Sequence, residues 1–234
     1  MPKPTAQAEE TDAKATEWMR PIARENLSDR AYTELRAALM RGQLKPGDQL
    51  RLRQISARFG ISATPMREAL TRLVVERALT LDARGTVTVP TLSRDQLMEI
   101  RAIRVDLEGR AAAAAALSVS PSQVAALEEI HSAINLAQGQ GRFIEAVELN
   151  TQFHLALCKA GNLPICYELV EGLWVRCGPI LSHLYDAGVP ADWDPHPHLR
   201  IISALKTGNP EAARAAIRVD IENGGQGLMD HVTN

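Results

Sequence analysis

The sequence predicts a mainly α-helical protein: a small winged helix-turn-helix unit with a β-hairpin wing, followed by an all-α bundle of six or seven helices. Three observations carry this. Apolar residues recur at helical intervals through most of the chain, while the β-favouring runs are confined to residues 79–89. Charge is split between the halves, with 11 Lys and Arg against 6 Asp and Glu over 27–90, but 11 against 17 over 91–234. Pro90 and the residues after it read as the boundary, giving domains at 27–90 and 91–234 behind a tail at 1–26. That tail has little apolar periodicity to offset the entropy of ordering it, so it is expected to stay disordered.

In the first domain Leu27, Ala31, Leu35 and Leu39 repeat every four residues, so Ser28 to Arg41 reads as an amphipathic helix ended by Gly42. Lys45-Pro46-Gly47-Asp48 is a turn, and Leu52, Ile55 and Phe59 mark a second helix over about Arg53 to Phe59. Ser62 can cap a third helix, with Pro65 in its first turn and Met66, Ala69, Leu70, Leu73 and Val74 as its buried stripe. Leu79–Leu81 and Thr86–Val89, around Asp82-Ala83-Arg84-Gly85, read as a small hairpin with a basic tip.

Helix starts in the second domain follow from capping signals: Ser93 with Gln96, Ser120-Pro121 with Gln123, and Asn209-Pro210. Helical spacing also covers Arg142 to Lys159, about Leu163 to Tyr185, and about Pro190 to Leu205. The run Ala111 to Ala116 reads as a tightly packed helix face.

Composition narrows the function classes. The chain is 45% hydrophobic and 23% charged with a net charge of −2, which excludes a uniformly basic coat for nucleic acid. Its three cysteines form neither a CxxC pair nor an even disulfide set, and it opens without a charged-then-apolar segment, which favours a reduced cytoplasmic compartment. The longest apolar stretch, Ala111 to Leu117, falls far short of the roughly 20 residues that cross a bilayer, so no membrane partner is expected.

A helix, a short turn, a second helix and a basic hairpin make a DNA-reading arrangement, in which the second helix of the pair enters the major groove by its N-terminal end. Ser62, Ala63, Thr64 and Arg67 occupy that end. The Ser62 and Thr64 hydroxyls suit phosphate oxygens, Arg67 suits a guanine edge or a phosphate, and Arg53, Arg58 and Arg84 extend one basic surface. The string Leu52-Arg53-Gln54-Ile55-Ser56-Ala57-Arg58-Phe59-Gly60-Ile61-Ser62-Ala63-Thr64-Pro65-Met66-Arg67-Glu68-Ala69-Leu70 closely resembles the signature of the GntR family of bacterial transcription regulators. The resemblance extends over Leu27 to Val89. It implies operator contacts through Arg53, Ser62, Thr64 and Arg67, with Arg84 on the wing and Gly85 allowing its tight turn. Many relatives carry Arg where this chain has Ala63, so one of the family's contacts is expected to be missing.

Ile103-Arg104-Val105-Asp106-Leu107-Glu108-Gly109, Asn150-Thr151-Gln152-Phe153-His154, and His198 leading into Ile202 to Ala213 resemble the FCD effector-binding domain of the FadR branch of the same family. Six helices rather than seven resembles its VanR-like subgroup. Asn150 and His154 are four residues apart and share a helix face; helices carrying His198 and Asp220 can complete a polar cluster suited to Zn, Ni or Mn. Metal-binding relatives typically place Asp, His, His and His at these four positions. A metal is therefore weighed against a metal-free reading, in which the histidines are hydrogen-bonded core groups or bind an effector directly. His183 and His196 are expected to be exposed or to support the ligands.

Arg104 aligns with the family's pocket arginine, with Arg101 a weaker candidate one turn before it, and a guanidinium clamp makes a small organic acid the natural effector. Either arginine could instead sit in a surface salt bridge with Glu108 or Asp106, and Trp174 and Tyr185 read as core aromatics. The resemblance implies a homodimeric, ligand-responsive regulator, more commonly a repressor, on a two-fold symmetric operator. Close dimer packing is expected through Ala111 to Ala116. Two rivals stay open: a metal-dependent enzyme using His154, His198 and Asp220, and a winged-helix module for protein contact.

Overall fold

The computed structural model describes residues 27–186, 196–224 and 226–232. The expected tail at 1–26, and residues 190–195 of the helix expected over Pro190 to Leu205, lie outside these. The N-terminal elements are α1 (Leu27–Met40), β1 (Gln49–Leu50), α2 (Leu52–Phe59), α3 (Ala63–Val75), β2 (Thr80–Leu81) and β3 (Val87–Thr88). Leu35 and Leu39 of α1, the α3 stripe Met66, Ala69, Leu70 and Leu73, and Leu79 and Val89 beside the strands close one core.

The wing contains the expected hairpin as β2 and β3, with β1 added to it as a third strand. It is a three-stranded antiparallel sheet of order β1-β3-β2, with Leu50 opposite Val87 and Thr80 opposite Thr88. β1 is two residues long and sits directly behind a turn, so it shows no alternation for a sequence reading to find. At the tip, Asp82 Oδ1 accepts the backbone N–H groups of Arg84 and Thr86, and Gly85 takes φ +81°, a conformation that costs glycine little.

The bundle comprises α4 (Arg94–Ser118), α5 (Pro121–Gly139), α6 (Phe143–Ala160), α7 (Pro164–Cys177), α8 (Pro197–Lys206) and α9 (Pro210–Gly224), six α-helices among the described residues. Reciprocal capping boxes start α4 at Ser93/Gln96 and α5 at Ser120/Gln123, while Asn209 Oδ1 accepts the Ala212 N–H at the start of α9. The single helix expected over Leu163 to Tyr185 is two elements: α7 stops at Cys177, and a 3₁₀ segment, Gly178–His183, follows. Pro179 has no N–H to give an α-helical partner, so the chain tightens there. A second 3₁₀ segment, Gln226–His231, packs on the first.

Four of the six residues of the alanine run are turned into the bundle. Ala111, Ala112, Ala115 and Ala116 are buried inside their own chain, and α6 ends so close to α4 that a Cβ on Gly161 would lie 2.5 Å from the Ala111 carbonyl oxygen. Their small size is spent on intramolecular helix contact.

α1 also docks on the bundle. Val175 of α7 belongs to the winged unit's core, Arg36 pairs with Glu171 at 2.8 Å and Arg41 with Glu148 at 3.1 Å. Gly178 lies so near the end of α1 that a Cβ there would stand 2.3 Å from the Leu39 carbonyl oxygen and 2.7 Å from Met40 Cα.

Candidate functional sites: an exposed helix end and a buried ionic pocket

Ser62, Ala63, Thr64 and Arg67 at the leading end of α3 are all exposed. Ser62 stands at the N-cap with β-region backbone, but its hydroxyl makes no capping bond, contrary to the expectation that it caps the helix. That hydroxyl, and the unsatisfied N–H groups of the first turn, face outward, an arrangement suited to a phosphate. Arg53 and Arg58 on α2, Arg67 on α3 and Arg84 on the wing are exposed and form no ion pair among the described residues. Nearby cations are used differently: Arg72 pairs with Asp29 and stacks on Tyr32, and Arg36 pairs with Glu76 and Glu171. Arg67 and Gly85 line opposite sides of one groove between α3 and the wing.

Inside the bundle, Arg101, Arg104, Asn150, His154 and Asp220 meet at one pocket, closed over by Leu97, Ile180, Leu184 and Leu228. Its free volume is about 50 Å³, room for a few waters. Arg104 is in a buried ionic chain and not in the surface salt bridge weighed from sequence. Its Nε donates to Glu108 Oε1 at 2.6 Å, and its guanidinium lies 3.9 Å over the Trp174 ring. Glu108, fully buried, also accepts Trp174 Nε1–H at 3.2 Å, and its Oε2 takes His154 Nδ1–H at 2.7 Å. His154 Nε2 then meets Asp220 Oδ2 at 3.0 Å. Trp174 therefore serves the pocket as well as the core.

Arg104, Glu108, His154 and Asp220 thus alternate in charge. Burial alone would raise the Glu108 carboxyl, but Arg104 and His154 hold it down to about 2. Burial works against a charged His154, yet Glu108 and the bond to Asp220 lift it to about 9. Asp220 stays below the ordinary carboxylate range despite its burial, held there by the imidazoles of His198 and His154. Arg101 is half-buried at the rim, where it donates to the Glu222 carbonyl.

His198 stands behind Asp220, its Nε2 3.5 Å from Oδ1 and its ring stacked on Phe153 at 3.7 Å; burial pushes it well below its ordinary pKa. One ligand atom from each of His154, His198 and Asp220 lies within 4.8 Å of the others. Two imidazoles and a carboxylate form a donor set for Zn, Ni or Mn, and Glu108 behind His154 Nδ1 is the carboxylate that orients a ligating imidazole, so these residues fit an ion. Asn150 lines the same pocket from the α6 face it shares with His154.

Sequence reasoning missed Glu108 as the centre of the chain, although its spacing of four from Arg104 was a signal for a pair. It also missed His131. His196, expected to be exposed or supporting, is buried, and its Nδ1 accepts the His198 backbone N–H at 3.2 Å. His183 is half-buried and bonds Asp186 at 2.8 Å.

Residues 27–89 match the family model described as bacterial regulatory proteins, gntR family, and residues 99–223 match the FCD domain model. The HTH-type transcriptional regulator McbR of Escherichia coli (strain K12) is 38% identical over 192 residues, covering 81% of this chain and 86% of the relative. The HTH-type transcriptional repressor RspR of the same strain is 24% identical, covering 82% and 84%. The solved structure of E. coli McbR/YncC superposes with a TM-score of 0.82 at 34% identity, covering 88% of this chain and 98% of that one. No helix among the described residues is long and apolar enough to cross a membrane. With a gntR-type DNA-binding unit joined to an FCD ligand-binding bundle, the chain belongs to the GntR family of bacterial transcription regulators, in its FCD-containing FadR branch.

Proposed function

We propose that this chain is a cytoplasmic, homodimeric repressor that reads a two-fold symmetric operator through Arg53, Ser62, Thr64, Arg67, Arg84 and Gly85, and releases it when a small organic acid enters the bundle. The observation that carries the reading is the exposed leading end of α3 among arginines that have no anionic partner in the described chain. Arg104 offers the acid its terminal nitrogens, since Nε is committed to Glu108, and Arg101 guards the rim. His154, His198 and Asp220, with Asn150 beside them, would hold a Zn, Ni or Mn ion. When bound, such an ion supplies a Lewis-acidic anchor for the acid's carboxylate.

Dimerisation is supported by an exposed apolar face different from the one first expected. Ile103, Leu107, Ile165 and Leu169 of α4 and α7 are exposed or half-buried, and Leu107, Ile165 and Leu169 flank an open groove of about 340 Å³. The test of DNA reading is fluorescence anisotropy with duplex DNA from upstream of the coding region. Arg67→Ala should weaken binding by about 1–3 kcal/mol and Arg53→Ala should lower the salt dependence, whereas affinity insensitive to both salt and Arg67 would refute the reading.

A further inference from the structure

All six histidines of the chain fall into three clusters, two of them outside the ionic pocket, and of those two one is fully buried. His131 projects from α5, His196 precedes α8, and His198 lies in its first turn. The three are 5%, 6% and 0% exposed, and one ring nitrogen from each lies within 4.8 Å of the others. Their rings meet at steep angles: His131 to His196 at 65° with centroids 5.1 Å apart, and His131 to His198 at 69° and 5.8 Å. Imidazoles pointing at a common centre adopt such angles. No carboxylate is a member of the group.

Two of these rings carry buried nitrogens without hydrogen bonds: His131 Nδ1 and both nitrogens of His198. Leaving such atoms dry is costly, so the cluster calls for an occupant. We propose that His131, His196 and His198 form a second metal site, for one borderline divalent ion such as Zn²⁺. Three neutral imidazoles are the donor set such an ion accepts, whereas Mg²⁺ and Ca²⁺ require oxygen. Bonds of about 2.0–2.1 Å draw three nitrogens to about 3.4 Å apart in a tetrahedron, a movement that side-chain rotation supplies, and leave a fourth position for water or an anion.

Asn135 supports the assignment. Its side-chain amide lies 3.1 Å from His131 Nε2, one helical turn along α5. An ion on Nδ1 fixes the proton on Nε2, and the Asn135 amide, whose nitrogen faces Nε2 in the ion-free arrangement, turns over so that its oxygen accepts that proton, which makes Asn135 a positioning residue. His196 joins by turning its ring and releasing the 3.2 Å bond from the His198 N–H. His198 is common to this group and to the one with His154 and Asp220, so the two groups are joined through a single ring. The proposal does not depend on an ion at His154, where both nitrogens already meet carboxylates.

The test uses the full chain, free of any affinity tag and stripped of metal, titrated with Zn²⁺ by calorimetry. The Zn²⁺ binding event that survives in Asp220→Asn is expected to be lost in His131→Gln and His196→Gln and to weaken about 10–100-fold in Asn135→Leu. Absence of saturable binding, or binding lost in Asp220→Asn and unchanged in His131→Gln, overturns the proposal. Because a substituted chain can fail to fold, histidine ¹⁵N shifts of the unaltered protein are read during the same titration. Movement of His131, His196 and His198 supports the site, and movement confined to His154 and His198 overturns it.

Discussion

Gly178 gives the sharpest mechanical prediction. Its backbone, at φ −53° and ψ −44°, is one any residue adopts, so Gly178→Ala introduces no conformational strain. The objection is purely spatial. The new Cβ would lie 2.3 Å from the Leu39 carbonyl oxygen and 2.7 Å from Met40 Cα, and neither backbone atom can rotate away. Relief requires the end of α1 and the 3₁₀ segment to part by about 1 Å, a strain on the scale of core overpacking, about 1–3 kcal/mol. For a chain of this size that lowers the melting temperature by about 2–12 °C.

Differential scanning calorimetry is the assay, because it also reports whether the winged unit and the bundle unfold together. Val175 sits in the winged unit's core, so the native chain should unfold in one transition and Gly178→Ala in two. Gly172→Ala, on α7 ahead of the 3₁₀ segment and with nothing within 4 Å of its new Cβ, is the control. It should be neutral or stabilising by up to about 1 kcal/mol. A Gly178→Ala protein with an unchanged midpoint and one transition would refute a rigid contact between the two units.

Further outcomes follow from the pocket and the surface. In metal-stripped protein, the stabilisation from Glu108, depressed from 4.5 to about 2, is present above pH 4.5 and lost as pH falls toward 2. That from His154, raised from 6.5 to about 9, is complete below pH 6.5 and lost as pH rises through 9. Urea unfolding across pH should show both limbs, and His154→Gln should abolish the alkaline one; an alkaline limb that persists contradicts the chain of contacts. Asn150→Asp restores an anionic oxygen beside His154 and should tighten Mn²⁺ about tenfold by calorimetry, with no gain counting against an ion there. Leu169→Glu, on the exposed α7 face, should sediment as a monomer and the unaltered chain as a dimer, and a dimer that tolerates the charge moves the interface elsewhere.

The helices were legible because their signals are local. Ser93 with Gln96 and Ser120 with Gln123 are reciprocal caps within four residues, and the apolar stripes of α1 and α3 repeat inside a single element. β1 was not legible, since two residues show no period and its partner β3 lies 39 positions later in the register Gln49 to Thr88. The alanine run shows the limit of composition: it marks α4 as a helix for close approach, but Gly161, which makes the approach, is 50 residues away from Ala111. Residues 150, 154, 198 and 220 were found through spacing and family likeness. His131 belongs to no motif, and only the packing of α5 beside α8 brings it to the other rings. Glu108 was readable as a helical partner of Arg104, but its burial under Trp174 depends on α7.

The size of the pocket links its chemistry to the DNA-binding unit. A small-molecule site typically has about 300–1,000 Å³, against about 50 Å³ between Arg104, His154 and Leu228, so an acid that binds there has to push the walls apart. α4, α6 and α9 are held by the Arg104–Glu108–His154–Asp220 chain, whose broken pairs would leave buried charges uncompensated. Ile180 and Leu181 in the 3₁₀ segment and Leu228 in the C-terminal turn carry no such ionic tie, so they are the walls that yield. The 3₁₀ segment begins at Gly178, against the end of α1, and Gly42 meets its backbone at Ser182. A wall that yields to a ligand would therefore press on the helix on which α3 packs, and this contact is the physical route by which the bundle can be coupled to the operator.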